Sequence, residues 1–210
     1  ISDEVSTSIE EEARLMHDSA GSMVYRVIIF IHIRHFAAII EQLPAEKAVT
    51  LLNRYFSSME PCLRSHGGQI DKYIGDAIML SFSKEKCGNP ELSACMAARQ
   101  CLLALPSLNQ ELLSLGLPEI IIGAGIACGN VIRGKIGARH SRKDFTLIGD
   151  PVNLAARLEA KSHFDNRPHI LVDGKIADAV KDQLQMNFQG NLTLKGKAEP
   201  VKVYEILEIG

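Results

Sequence analysis

The run from Val24 to Ile33, VYRVIIFIHI, constrains the fold of this 210-residue chain more than any other segment. Seven of its ten residues are Val, Ile or Phe, and they fall on both alternating faces, the pattern of a strand covered on both sides by other structure. The apolar stretch continues to Ile40 but is broken by His32, Arg34 and His35, so it falls short of the roughly 20 apolar residues that a bilayer crossing needs. It is therefore a central strand of a soluble sheet, and the rest of the chain must supply the layers that cover it.

Pro44 opens a helix in which Ala48, Leu51, Leu52, Tyr55, Phe56, Met59 and Leu63 recur at three- and four-residue spacing as far as the region of Pro61. Gly67-Gly68 ends it. The next segment, QIDKYIGDAIMLSF, divides at Gly75-Asp76 and predicts a hairpin with strands at 69–74 and 77–82. Asn89-Pro90 combines a side-chain cap with a proline at the first helical position, and Leu92, Cys95, Met96, Leu102 and Leu103 give that helix an apolar face until Pro106 ends or kinks it. Segments 119–128 and 131–136 flank Gly129-Asn130, a second hairpin signal, and a short strand is expected around 145–148. Asp150-Pro151 starts a helix over 152–160 with Asp150 as its cap. Strands at 170–172 and 201–209 enclose a short helix near 175–182. Strands and helices mix without a strict βα repeat, which predicts an α+β fold with helices packed on a mostly antiparallel sheet.

Residues 1–23 are polar and acidic, with Glu10, Glu11 and Glu12 in a row, and read as a helical leader or linker to a single domain over 24–210. Lys and Arg number 23 against 25 Asp and Glu, a formal charge of −2, so nucleic acid is not the expected partner. The five cysteines are odd in number and contain no C-x-x-C pair, as in reduced thiols of a cytosolic protein. No basic n-region precedes an apolar core, so no signal peptide is visible. The expectation is a cytoplasmic chain, or the cytoplasmic domain of a longer protein, without membrane contact of its own.

Three groups of residues carry chemistry. Lys72 and Asp76 flank the first hairpin turn, where a rigid sheet rim can present a charge; the plainer reading is a solvated lysine and a turn-forming aspartate. Asn153 and Arg157 lie four apart on a helix and can reach one anion together, or simply form an exposed helix face. Lys195-Gly196-Lys197 places two cations around a glycine, suited to a polyphosphate or to a solvated turn.

In order, VIIFIHIRHF, GGQIDKYIGDAIMLSF, IGAGIACGNVIRGKIG, DFTLIGDPVNLAARLEA and LKGKAEPVKVYEI resemble the catalytic domain of class III adenylyl and guanylyl cyclases, over about residues 25–209. The resemblance implies a ferredoxin-like βαββαβ core and a head-to-tail dimer with each active site between two subunits. It implies two divalent ions, Mg²⁺ or Mn²⁺, held by aspartates, of which Asp76 is one. It assigns base reading to Lys72 and Thr146, a pair like that of adenine-selective soluble and bacterial cyclases, and hence ATP as substrate. Asn153 and Arg157 match the transition-state pair, and Lys195 or Lys197 the triphosphate-binding lysine. The implied reaction is attack of the ribose 3′-oxygen on the α-phosphorus, giving cyclic AMP and pyrophosphate.

The sequence departs from this family's pattern at two positions. The first metal aspartate is expected two residues after Phe30, where His32 stands, and the usual glycine is replaced by His35. Mg²⁺ prefers oxygen ligands, so an imidazole weakens or alters metal binding. The expected function is therefore an adenylyl cyclase shifted in metal preference or impaired at His32, acting as a homodimer or with another cyclase domain. The alternative is an inactive relative that binds nucleotide and regulates a partner through dimerisation.

Overall fold

In a computed structural model of the chain, which describes residues 21–136, 144–193 and 199–207, strand β1 (Ser22–Ile33) forms the spine. The leader up to residue 20, and Lys195 and Lys197, lie outside the described residues. Alternation along β1 decides what covers it. Val27, Ile29, Ile31 and Ile33 pack under helices α2 (Ala45–Arg64) and α4 (Pro90–Ser114), while Ile28 faces the other way. Short helix α1 (Phe36–Ile40) precedes α2, and between α2 and α4 lie the hairpin β2 (Gln69–Ile74) and β3 (Ala77–Phe82) and short helix α3 (Lys84–Cys87). After α4 come β4 (Ile122–Ile136), β5 (Asp144–Ile148), α5 (Asp150–Lys161), β6 (His169–Asp173), α6 (Gly174–Val180), β7 (Met186–Leu192) and β8 (Val201–Ile206).

The sheet runs β2-β3-β1-β4-β6-β8-β7, with β5 paired to β4. Its first four strands with α2 and α4 make the expected βαββαβ core, and β4–β6 is the one parallel pair among the described strands. The first hairpin falls at the expected residues, and Asn89 caps α4 through its side chain, which accepts from the Leu92 amide at 3.1 Å.

Four expectations are corrected. Gly129-Asn130 is not a hairpin turn: β4 continues through it because β1 offers an unbroken partner, with Arg26 opposite Gly129 and Tyr25 opposite Asn130. Gly129 sits within the strand at φ 152°, a conformation that side chains disfavour. Pro106 does not end α4, since Leu105, Leu108 and Leu112 are buried around and beyond it and offset the roughly 3 kcal/mol that an interior proline costs. The cap of α5 is Gly149, leaving Asp150 in its first turn, where a carboxylate favours the helix dipole. Finally β7, MNFQGNL, was not expected as a strand: its polar residues and the irregularity between Phe188 and Gly190 belong to an edge, where the apolar pattern fades.

One feature of β4 positions the site. On the face toward α5 it carries Gly123, Gly125 and Ala127, so the helix rests nearly on bare strand. A Cβ on Gly125 would lie 2.2 Å from both the Ala155 carbonyl oxygen and the Glu159 amide nitrogen. Gly123 is the β1 partner of His32. The absence of side chains on this stripe is what lets Glu159 of α5 reach His32 across β4.

Candidate active site

His32 shares its face of β1 with Ile28 and therefore points toward α5, and the tight helix–sheet contact supplies its surroundings. Its Nε2 lies 2.8 Å from Asp76 Oδ2 in the β2–β3 turn, and its Nδ1 lies 3.1 Å from Glu159 Oε1. The same Glu159 oxygen is 2.8 Å from His163 Nε2, just past the end of α5, and the two imidazoles stack with centroids 5.8 Å apart. Asp76 and Glu159 are both buried. Burial works against a charge on His32, yet the two carboxylates outweigh it and hold the imidazole up to about 9, so it is a cation near neutrality. His163 is held below the usual histidine range, first by burial and, despite Glu159, by the positive charges of Arg34 and His32.

His35 occupies its position in the left-handed conformation, φ 55° and ψ 27°, the backbone that the expected glycine would adopt freely. Its ring lies 6.5 Å from that of His163. Histidine tolerates this region better than bulkier or branched residues, which explains how the turn after β1 survives the replacement.

The second cluster is built by β2 and β5. Lys72 Nζ contacts Thr146 Oγ1, the Thr146 hydroxyl donates to Asp71 Oδ2 at 3.1 Å, and Lys72 Nζ lies 3.2 Å from the same carboxylate oxygen. Thr146 is buried and Lys72 half-buried, so the lysine presents its ammonium at the rim while its partners fix it from below. The spacing of 74 residues between Lys72 and Thr146 hides this pairing from any local pattern. Asn153 and Arg157 are both exposed on α5, one turn apart on the same face.

Sequence reasoning thus placed Lys72 with Thr146 and His32 with Asp76, and missed Asp71, Glu159 and His163. A signal for the last two existed. In NLAARLEAKSH, Glu159 follows Ala155 by four residues on the sheet-facing side and His163 follows Glu159 by four.

The pair of magnesium ions implied by the resemblance does not fit these donors. Of the two expected aspartates only Asp76 is present, and the His32 imidazole stands against its carboxylate and against Glu159, so the oxygen-rich, doubly negative cradle that two hard dications need is neutralised by the chain itself.

An apolar row crosses the other end of β1. Met23 opposes Ile132, which opposes Ile148, and the three are 66%, 46% and 48% exposed. Tyr73, Ile74, Ile136 and Phe145 are also exposed. Together they give these sheet strands an exposed apolar patch.

Residues 23–208 match the family described as adenylate and guanylate cyclase catalytic domain. The chain is 30% identical over 184 residues to the terminal-differentiation specific adenylate cyclase of Dictyostelium discoideum, covering 86% of this chain and 8% of that protein. It is 32% identical over 193 residues to an adenylate cyclase of Anabaena cylindrica, covering 89% and 38% respectively. The chain thus spans well under half the length of these relatives. Among solved structures it is similar to the adenylyl cyclase CyaB from P. aeruginosa, with TM-score 0.83, 28% identity and coverage of 91% of this chain and 97% of that one. It is also similar to the guanylyl cyclase Cya2, with TM-score 0.81, 29% identity and coverage of 90% and 95%.

Proposed function

The chain belongs to the family of adenylate and guanylate cyclase catalytic domains, and from that premise we propose that it acts on ATP, forming cyclic AMP and pyrophosphate in a head-to-tail dimer. The observation that carries the choice of adenine is the contact of Lys72 with Thr146 over Asp71. The adenine edge offers an acceptor at N1 and a donor at N6, and this cluster offers an ammonium donor beside hydroxyl and carboxylate acceptors. The adenylate cyclases among the relatives support the same reading.

In this reading each part of the chain has a task. Lys72 and Thr146 hold the base, Asn153 orients the ribose, and Arg157 balances the charge that grows on the phosphates as the 3′-oxygen attacks the α-phosphorus and pyrophosphate leaves in line. Lys195 and Lys197 are assigned to the triphosphate. The exposed row of Met23, Ile132 and Ile148 supports association with a second cyclase domain, either a copy of this chain or a different one. Paired with a different cyclase domain, this chain is the half that reads the base and stabilises the transition state, the partner contributing the divalent ions; paired with its own copy, it turns over as a cyclase weakened at His32.

A second reading rests on the bridge that His32 makes between Asp76 and Glu159: a domain that binds ATP and regulates its partner without turnover of its own. One experiment separates them. Cyclic AMP and cyclic GMP are measured for the purified chain across protein concentration with Mg²⁺ and with Mn²⁺, for wild type and His32→Asp. Cyclic AMP that rises in specific activity with concentration, and rises again in His32→Asp, is the expected result. ATP binding without product from either protein would replace the first reading by the second, and cyclic GMP as main product would refute the adenine assignment.

A further inference from the structure

The cluster around His32 brings together more than a substituted magnesium ligand. His32, Glu159 and His163 each aim one ligand atom into a single space, and these atoms all lie within 4.8 Å of one another. Asp76 stands apart from this group, its Oδ2 lying 2.8 Å from His32 Nε2, the ring nitrogen other than the Nδ1 that meets Glu159. Three parts of the chain thus converge: the end of β1, α5 and the segment after it.

The second observation concerns what these atoms do not do. His163 Nε2 is buried and lacks a hydrogen-bond partner among the described residues, although Glu159 Oε1 lies 2.8 Å away. Short approaches that are out of line for hydrogen bonding are the geometry of groups aimed at a common point rather than at each other. Buried polar atoms left so cost free energy unless something satisfies them.

We propose that His32, Glu159 and His163 form a binding site for one divalent transition ion of the zinc class. This deepens the proposed function in naming the ion that the chain itself takes, and it holds or fails without reference to turnover. The donor chemistry selects the class: two imidazoles and a carboxylate suit zinc and its neighbours, whereas magnesium keeps to oxygen and water. Two histidines with a glutamate are also a recurring ligand set of zinc sites that keep an open position. A tetrahedral ion with bonds of about 2.1 Å spaces its ligand atoms about 3.4 Å apart, so the present arrangement closes onto an ion by side-chain shifts on the order of 1 Å. Glu159 is fixed by the helix resting on Gly125, which makes it the rigid member of the set, while His163 beyond the helix end can adjust.

The test uses the full chain, stripped with chelator and titrated with Co²⁺ as a spectroscopic probe and with Zn²⁺ in thermal melts. One equivalent of cobalt with the absorption of a nitrogen- and oxygen-ligated tetrahedral ion is expected, together with a zinc-induced rise in Tm on the order of 5–10 °C at a hundredfold excess over Kd. Both should be lost in His163→Ala and in Glu159→Gln, whose folding is checked by circular dichroism, and kept in His35→Asn, which retains a residue tolerant of the left-handed backbone. Cobalt binding unchanged in His163→Ala overturns the site. So do sulfur charge-transfer bands, which would put the ion on cysteines, and displacement of cobalt by an equal concentration of Mg²⁺. A chain that binds cobalt as expected and makes no cyclic AMP refutes the proposed activity alone. One that makes cyclic AMP and binds no cobalt refutes this site alone.

Discussion

Replacing Gly125 by alanine tests whether the bare stripe of β4 is what sets the site. The added Cβ would lie 2.2 Å from the Ala155 carbonyl oxygen and from the Glu159 amide nitrogen, both backbone atoms of α5 that no rotamer change can move aside. Ordinary contact begins near 3.4 Å, so the helix must lift from the sheet by about 1.2 Å or the strand must yield. Overpacking of this kind costs about 2 kcal/mol, which for a chain of this size lowers Tm by about 4–8 °C. The same lift carries Asn153, Arg157 and Glu159 with it, and misplacement by about 1 Å reduces a rate by about 100-fold.

The assay pairs urea unfolding with cyclic AMP formation under saturating ATP. Gly174→Ala is the control: its Cβ would meet Lys202 Cβ at 3.4 Å, an ordinary contact, and the loss of unfolded-state freedom should leave stability unchanged or improved by up to about 1 kcal/mol. A Gly125→Ala protein within about 0.5 kcal/mol of wild type would refute the packing argument. A destabilised protein with full turnover would show instead that α5 does not position the reacting groups.

Three further outcomes are expected. Lys72→Ala removes a charge-assisted donor worth about 1.5–3 kcal/mol and should lower kcat/KM for ATP by about 10- to 100-fold, with unchanged kinetics excluding a role in base binding. Ile132→Asp places a charge in the middle of the exposed row between Met23 and Ile148 and should turn a dimer into a monomer by sedimentation; a protein whose association is unaffected would move the interface elsewhere. The neighbouring Cys101 thiol brings the pKa of Cys62 down to about 7 against partial burial, so iodoacetamide at pH 7.5 should modify Cys62 first, at a rate that climbs through pH 7. Peptide mapping that finds Cys87 ahead of it would contradict this.

What the sequence made legible followed local rules. The hairpin at Gly75-Asp76, the Asn89-Pro90 start and the β1 alternation each depend on neighbours within a few residues, and each holds. The failures share a different cause. Gly129-Asn130 has the composition of a turn, but twelve residues of β1 pair across it, and a long-range ladder overrides a two-residue preference. Pro106 has the signature of a helix end, but burial of Leu108 and Leu112 beyond it depends on a core that no window contains. The site behaved likewise. Lys72 and Thr146 were identified through resemblance, while Asp71, one residue away from Lys72, was invisible because only the β2–β5 juxtaposition reveals it as the group under both.

His32 shows why reading a substitution as a missing ligand is too narrow, and the reverse substitution tests this. In wild type the imidazole is held up to about 9 and so places a positive charge between Asp76 and Glu159 without any metal. In His32→Asp three carboxylates face one another on partly buried positions, with His163 and Arg34 the nearest groups left to offset them. Breaking a buried pair and leaving like charges costs about 3–5 kcal/mol, and solvent access to this cluster reduces that to about 2. In chelator, His32→Asp should therefore melt about 4–8 °C below wild type. Saturating Mg²⁺ should restore most of the difference, because an ion bound to the folded state alone stabilises it by about 2.7 kcal/mol at a hundredfold excess over Kd. The wild-type Tm should hardly respond to Mg²⁺. If both proteins melt alike in chelator, His32 is not the internal counter-ion. If they differ as expected, the same residue that excludes the magnesium pair also holds the metal-free fold together, and any gain of activity in His32→Asp will come with a fold that depends on its metal.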